Sequence, residues 1–449
     1  MLFFKECKKV VCSLAFLLYV AVVVVMYGTQ FGSALAEPIE RPKIGAEWYG
    51  TKEVDLQEVV MPEAVESLMQ EYLKGTYDAY PHMFYKQVKL KEKDSVKIAA
   101  ILEELTGLTK ADLDSFEDFE MGGYMGGVDE EGKQIMYYRP PVLPEYTLSE
   151  TVSYERFKEL MREADDMIGG GSKYEEENLL DYFGNVAMTY EDALADYEEL
   201  MQGDNLPKAY LRLFCDYVGI DLGIIPVFVC VALWQMDRRS RMEALIYSRK
   251  RSSVGIVLMR YAALVCCMAV PVLLTMLHAV IHITGLYPEL SLSFGDAVGM
   301  ALLWLLPNIT VVTALGAFLT ELVSPLIAIF VQGVWWYMAL EATDLVGQIT
   351  RYALIIRHNS MGRISLFEAQ YGDFVWNRWF YMGVSVLLLA VTVAVYEWKR
   401  RGNRLGGAGR KILENCNEKD YCEGTGQLRK KAGKSAGYSA GEDLGGGRW

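Results

Sequence analysis

Histidine and cysteine are scarce in this chain of 449 residues, with 4 and 8 copies. The cysteines are Cys7, Cys12, Cys215, Cys230, Cys266, Cys267, Cys416 and Cys422, so residues 37–208 contain none. A segment of that size without cysteine has to fold on its own apolar core and not on a disulfide frame. No C-x-x-C pair occurs, which argues against structural zinc. Basic residues are short where a nucleic-acid binder would need them. Residues 37–208 hold 39 Asp+Glu against 17 Lys+Arg, a net charge of −22, whereas the rest of the chain holds 19 against 27, a net charge of +8. The positive charge is not gathered on one soluble face, which excludes nucleic-acid binding. Enzyme signatures are missing as well. Gly433-Lys434-Ser435 looks like the end of a phosphate loop, but Leu428 occupies the place of its first glycine and no apolar strand precedes it. Neither H-E-x-x-H nor G-x-S-x-G occurs in its required context. The chain is therefore expected to be no ATPase or other enzyme, and to bind no metal or cofactor itself.

What the sequence has in abundance is long apolar runs. Val10 to Tyr27 is uncharged and follows Lys5, Lys8 and Lys9. About 20 apolar residues cross a bilayer as a helix, and basic flanks remain in the cytoplasm. Ala34-Leu35-Ala36 before Glu37 resembles a signal-peptidase site, but the apolar run exceeds a usual signal core and a retained anchor is expected. Both readings leave 37–208 outside. Five more runs follow at 217–236, 254–284, 297–318, about 323–341 and 380–397. The connection 237–252 carries six basic residues and the sixth run is followed by Lys399, Arg400, Arg401 and Arg404, while 285–296 has no base. Six crossings with both termini inside satisfy this pattern. The exception is 342–379, placed outside yet containing Arg351, Arg357, Arg363 and Arg378.

The expected architecture is mainly α: a cytoplasmic N-terminus and first transmembrane helix over 1–36, an acidic extracytoplasmic domain over 37–208, a five-span domain over 209–398 and a disordered cytoplasmic tail over 399–449. In the outer domain, Val96, Ile98, Ala99, Leu102 and Leu105 recur near helical spacing, as do Phe157, Leu160, Met161, Ala164 and Ile168. Thr189 and Asp192 match a capping box. The glycine-rich pieces 121–127 and 169–172 read as turns. After Arg401 the chain is rich in glycine and poor in aliphatics, too little to offset its ordering entropy.

Several motifs have both a chemical and a plain reading. His278 and His282 share a helix face, but no carboxylate accompanies them and they lie where polar side chains reach the interface. Asp221 lies within the second run, and an ionisable group at membrane depth is a candidate for a translocation path. A start of that span a few residues later would leave Asp221 at the boundary. Gly219-x-x-x-Gly223 and Gly295-x-x-x-Gly299 permit close helix packing. Asp112, Asp114, Glu117 and Asp118 read as a solvated acidic turn, because a calcium loop would need different spacing and a glycine.

The segment 237–252 is the most informative. Met242, Leu245 and Ile246 recur at helical spacing with arginines around them, as in a basic amphipathic helix on the inner membrane surface. Glu243, followed by Ser248-Arg249-Lys250-Arg251-Ser252, resembles the element between the second and third spans of type-2 permeases of ATP-binding-cassette (ABC) exporters, without that element's usual proline. Arg357-His358-Asn359, Asn377-Arg378 and Tyr396-Glu397-Trp398-Lys399-Arg400-Arg401-Gly402 resemble permeases of Gram-positive bacteria encoded beside an ABC ATPase. The resemblance covers about 205–402 and the first run. It implies a cell-membrane subunit that pairs with a second permease chain, identical or not, and with a cytoplasmic ATPase that holds the ATP. Arg241, Met242, Glu243, Leu245, Ile246 and Arg249 would contact that ATPase. Export is the expected activity. The alternative is a relay that passes extracellular peptide or drug binding to the ATPase without transport.

Overall fold

The computed structural model describes residues 2–401 except 33–34, 36–37, 82–83, 129–133, 241, 249, 291, 342–348 and 359–360. The expected tail from 402, with Arg241 and Arg249, lies outside the described residues. The fold is mainly helical.

The chain opens with helix α1 (Leu2–Val11) and the apolar α2 (Leu14–Phe31), separated by Ser13, whose hydroxyl caps α2 by accepting from the Phe16 amide. An independently cored lobe follows. Its elements are β1 (Thr51–Glu53), α3 (Gln57–Lys74), β2 (Tyr77–Ala79), β3 (Lys86–Val88), α4 (Glu92–Thr106) and α5 (Lys110–Asp114). Then come β4 (Gly123–Val128), β5 (Gln134–Arg139), α6 (Tyr154–Ile168), α7 (Leu179–Phe183), β6 (Asn185–Ala187) and α8 (Tyr190–Glu198). The strands form antiparallel pairs β1–β6, β2–β3 and β4–β5.

The expected periodicities at 95–108 and 153–168 are α4 and α6, and both present one apolar stripe. Leu102, Leu105, Phe157 and Leu160 meet Leu68 and Met69 of α3 in a cluster separate from those of the long helices. The Thr189–Asp192 capping box forms, with Thr189 accepting from the Asp192 amide and Asp192 accepting from that of Thr189. Of the two glycine-rich pieces, 169–172 is a turn: Gly169, Gly170 and Gly171 all have positive φ, and a Cβ on Gly171 would lie 2.8 Å from the Tyr80 backbone. The piece 121–127 is not a turn, because Gly123–Val128 pairs in register with Gln134–Arg139. Glycine is used there for close approach: a Cβ on Gly122 would meet Pro141 at 2.6 Å.

After a π-helical turn (Glu199–Gly203) the chain enters the apolar bundle. It consists of α9 (Leu206–Leu222), α10 (Ile225–Arg239), the short α11 (Glu243–Tyr247), α12 (Ser253–Leu286), α13 (Phe294–Leu322), α14 (Pro325–Glu341) and α15 (Ile364–Arg400). Helices α2, α12, α13 and α15 are each long and apolar enough to cross a membrane, and α9 with α10 passes the same test as a pair bent by 43°. Helix α14 is shorter, at 17 residues. These lengths are compatible with a multi-pass membrane protein.

Several boundaries differ from the sequence-based expectation: the first apolar helix begins at Leu14 because α1 ends at Val11, and the amphipathic helix expected over 237–252 is only α11, with 237–239 in α10. The run 217–236 is two helices broken at Gly223–Ile224, where Pro226 starts the second. The sixth helix begins at Ile364, sixteen residues before its apolar run, so 364–379 is helix and not loop.

One end of the bundle gathers the N-terminal α1, the C-terminus of α10, α11 and the C-terminus of α15. Lys9 lies near Asp237, Glu6 near Arg260, and Arg400 hydrogen-bonds to the Tyr247 and Arg251 carbonyls. At the other end the lobe meets the helices. The Ile39 amide donates to Tyr287 Oη at 2.8 Å, and Phe84 stacks on Tyr337 of α14 with ring centroids 6.1 Å apart.

Candidate functional site

The break between α9 and α10 exposes backbone carbonyls inside an apolar bundle. Unpaired, each would cost free energy, because a buried polar group loses its hydrogen bonds to water. Side chains of neighbouring helices supply the donors. Asn308 Nδ2 of α13 donates to the Gly219 carbonyl at 3.3 Å, while Trp336 Nε1 and Gln332 Nε2 of α14 donate to those of Ile220 and Gly223 at 2.9 and 2.6 Å. The absence of a side chain on Gly223 lets α14 approach: a Cβ there would lie 2.9 Å from Trp336 Cδ1, whereas one on Gly219 would make only ordinary contacts. Gly219-x-x-x-Gly223 is therefore a packing motif within the chain. Asp221 lies at this break, and its Oδ2 is buried without a hydrogen-bond partner among the described residues.

Above the break, the segment 350–363 is strapped to α9 by two buried carboxylates. Asp216 accepts from Arg357 Nε at 2.5 Å and from the His358 amide at 2.7 Å. Asp204 receives a bidentate pair from Arg212 at 2.6 and 2.7 Å, and the Gly362 amide at 2.9 Å. His358 is buried beside Arg212, and burial together with that guanidinium pushes its imidazole down to about 4. It is neutral at physiological pH. Arg378 is buried on α15, where it donates to the Trp304 carbonyl and Asn308 Oδ1, both at 2.9 Å, and to Asn377 Oδ1 at 2.7 Å. Arg351 pairs with Asp373 at the surface. Of the four arginines that departed from the charge pattern, Arg351 and Arg357 are thus paired with carboxylates, and Arg378 is hydrogen-bonded to neutral acceptors.

The opposite end carries a second polar cluster. Glu321 of α13 accepts from Trp234 Nε1 at 3.1 Å and Arg238 Nη2 at 3.0 Å, and pairs with Lys399 Nζ at 3.3 Å. Arg260 of α12 pairs with Asp237 and, at 3.6 Å, with Glu6 of α1. Helix α11 hangs from this cluster. Ile246 packs against the bundle core, Tyr247 meets Tyr396 edge to face at 5.4 Å, and Arg400 Nε donates to the Tyr247 carbonyl at 3.0 Å. Met242 and Leu245, by contrast, are 43% and 51% exposed. Of the residues expected on the lever, the described side chains thus divide: one faces the bundle and two face solvent.

The remaining candidates have structural partners. His278 Nδ1 hydrogen-bonds Tyr27 Oη at 2.7 Å, and His282 Nε2 bonds the Leu35 carbonyl at 2.9 Å, fixing α12 to α2 and its exit. Asp112 closes a capping box with Thr109, while Asp114 accepts from Tyr72 Oη and pairs with Lys110. Among the described residues, no group of three His, Cys, Asp or Glu side chains is placed to hold a metal ion.

Asp204, Arg212, Asp216, Arg260, Asn308, Glu321 and Gln332 were not singled out from the sequence. Charged or amide side chains within or directly beside apolar runs were the available signal for them. Comparisons with protein-family models, with curated proteins and with solved structures return no match.

Proposed function

We propose that the chain is the transmembrane subunit of an ABC transporter. It crosses the membrane six times and holds the acidic lobe outside, and it works with a second permease chain and a cytoplasmic ATPase that binds ATP. Helix α15 supports the membrane reading. Tyr352, Trp376 and Phe380 cluster in aromatic contacts near its outer part with the exposed Trp379 beside them, and Trp398 with Lys399 and Arg400 stands at the other end. From Trp379 to Trp398 the helix rises about 29 Å, close to the hydrocarbon thickness of about 30 Å, and aromatic side chains favour both interfaces. The 17 residues of α14 rise about 26 Å, enough for a short span whose polar contacts sit at the break. The excess of bases at the α1, α10 and α15 ends supports a cytoplasmic side there.

The observation that carries the coupling role is α11. It presents Leu245, with Met242 just before it, to solvent, while Tyr247 ties it to the last long helix through Tyr396 and Arg400. An ATPase gripping the exposed side chains moves the bundle through Tyr247–Tyr396 and Arg400, and the α9–α10 break beside Asp221 is where the helices can bend. This is rigid-body alternating access, with movement of the spans driven from one end. Export is the direction we propose.

The test is co-purification with a cytoplasmic ABC ATPase, taken from a neighbouring reading frame that carries one. Met242→Asp with Leu245→Asp is expected to abolish the association while leaving the size-exclusion profile of the free chain unchanged. Undiminished association would refute the assignment. In vesicles containing both subunits, ATP-dependent substrate movement supports export, whereas ligand-stimulated ATPase without flux identifies a relay.

A further inference from the structure

A groove of about 850 Å³ runs between α2 and α10, and neither the coupling contacts nor the break uses it. Its walls are Leu14, Leu18 and Val22 on one side and Phe228, Ala232 and Met236 on the other. Ile225, the first residue of α10 beyond the break, also lines it. Polar residues occur at one end only, where Ser13, Arg239 and Ser240 meet. The two serine hydroxyls already donate within their own helices, to the Val10 and Met236 carbonyls. The Arg239 guanidinium makes no ion pair or hydrogen bond among the described residues, unlike its neighbour Arg238, which binds Glu321. The groove thus combines an apolar trough with one unpaired cation at its mouth, on the basic end of the bundle.

We propose that this groove binds an anionic phospholipid of the inner leaflet, with its phosphate on Arg239 and an acyl chain along α2. The dimensions support that occupant. From Ser13 to Val22 helix α2 rises about 14 Å, close to the roughly 15 Å that one leaflet contributes to the hydrocarbon core. The polar end therefore sits at headgroup depth and the trough at acyl depth. A basic pocket between helices on the cytoplasmic side is suited to an anionic headgroup. A second copy fits less well. A twofold axis along the membrane normal preserves depth, so an interface on this groove would set Arg239 against its own copy with no carboxylate between them, and desolvated like charges oppose association.

The proposal rests on the reading that these helices cross a bilayer. The full chain is reconstituted in phosphatidylcholine vesicles carrying a phosphatidylglycerol probe with a photoactivatable acyl chain, or the phosphatidylcholine probe with the same chain. Cross-links are then mapped by peptide mass spectrometry. The expected result is labelling around Leu18, Val22 and Phe228, with the anionic probe preferred about fivefold, the factor one basic residue contributes near an anionic lipid surface. Arg239→Gln removes that preference, and Ala232→Trp, which fills the trough, removes labelling by both probes. Equal labelling by the two probes in the unaltered chain, or labelling only elsewhere on the bundle, overturns the proposal. So does efficient disulfide formation between copies carrying Leu18→Cys, since a second chain would then occupy the groove. Alkaline carbonate extraction separates the two levels: a chain that stays in the membrane without groove labelling sinks the lipid site alone, while a chain released by carbonate sinks the membrane reading.

Discussion

The lobe and the helical bundle distribute charge in opposite ways. In the lobe Glu71 and Asp165 are buried, but the ion pairs formed by Arg41, Lys43, Arg139 and Arg156 are solvent-exposed around an apolar core of α3, α4 and α6. In the bundle the surface is apolar, with Leu14, Leu274, Leu326, Phe330 and Val386 exposed, while Arg212–Asp204, Arg357–Asp216 and Arg260–Asp237 lie inside. Water is the better solvent for the charges of one region and hydrocarbon for the outer side chains of the other. The lesson concerns energy as well as location. A pair exposed to water contributes little because screening and side-chain entropy offset its attraction. A buried pair is a mutual obligation, since removing one member strands the other where nothing replaces it.

The sharpest way to break this contrast is Asp204→Ala, which strands the buried guanidinium of Arg212. It should cost about 3–5 kcal/mol and lower the thermal midpoint of the detergent-solubilised chain, read by fluorescence-detected size exclusion. The double variant Asp204→Leu with Arg212→Met should recover much of the loss. A single variant as stable as the parent would show that the pair is hydrated. In the lobe, where the core is apolar, Leu68→Ala removes a fully buried side chain and should cost about 3 kcal/mol, measured by chemical unfolding of the full chain followed through lobe fluorescence. Arg156→Ala, which breaks exposed contacts to Glu104 and Glu159, should change the same midpoint by no more than about 1 kcal/mol. A loss as large as that of Leu68→Ala would contradict the contrast.

Acid should act on the two regions in different windows. His358, beside the bundle, is held down to about 4, so its neutral form contributes stability above its unfolded pKa of roughly 6.5, and that contribution is lost as pH falls from there through 4. Asp192, in the lobe, is lowered to about 2 by hydrogen bonds from Lys52 and Thr189, so its contribution persists until pH falls below its ordinary range near 3.8 and disappears towards 2. Unfolding midpoints measured against pH should lose the upper phase in His358→Gln and the lower, smaller one in Asp192→Asn. Unchanged profiles in both variants would assign acid sensitivity elsewhere.

Much of the secondary structure could be read from the residue order. Periodicity located α4 and α6, Thr189 and Asp192 announced the start of α8, and apolar runs located the long helices. Helix α3 escaped because Pro62 lies inside it and its apolar residues were not set out against a helical period. The hairpin strand at 123–128 escaped because glycine signals turns locally, whereas here it admits a neighbouring proline. The broken helix had two hints, Gly223 and Pro226, but the fate of its carbonyls depends on Asn308, Gln332 and Trp336, far along the chain. At the lever, spacing indicated a helix with Met242, Leu245 and Ile246 together, and only packing distinguishes Ile246 from the other two.

Hydropathy and charge order, taken alone, determined which stretches would be apolar helices, where an acidic lobe would interrupt them, and on which end the bases would collect. Those properties are local sums over consecutive side chains, and solvent preference acts on them without reference to the rest of the fold. The tertiary structure decided which charges find partners. Arg357 reaches Asp216 across 141 residues of chain, and Arg378 reaches Asn308 across 70. Whether a buried arginine is a liability or a strut depends on a partner within about 3 Å, a distance that only the packed helices set.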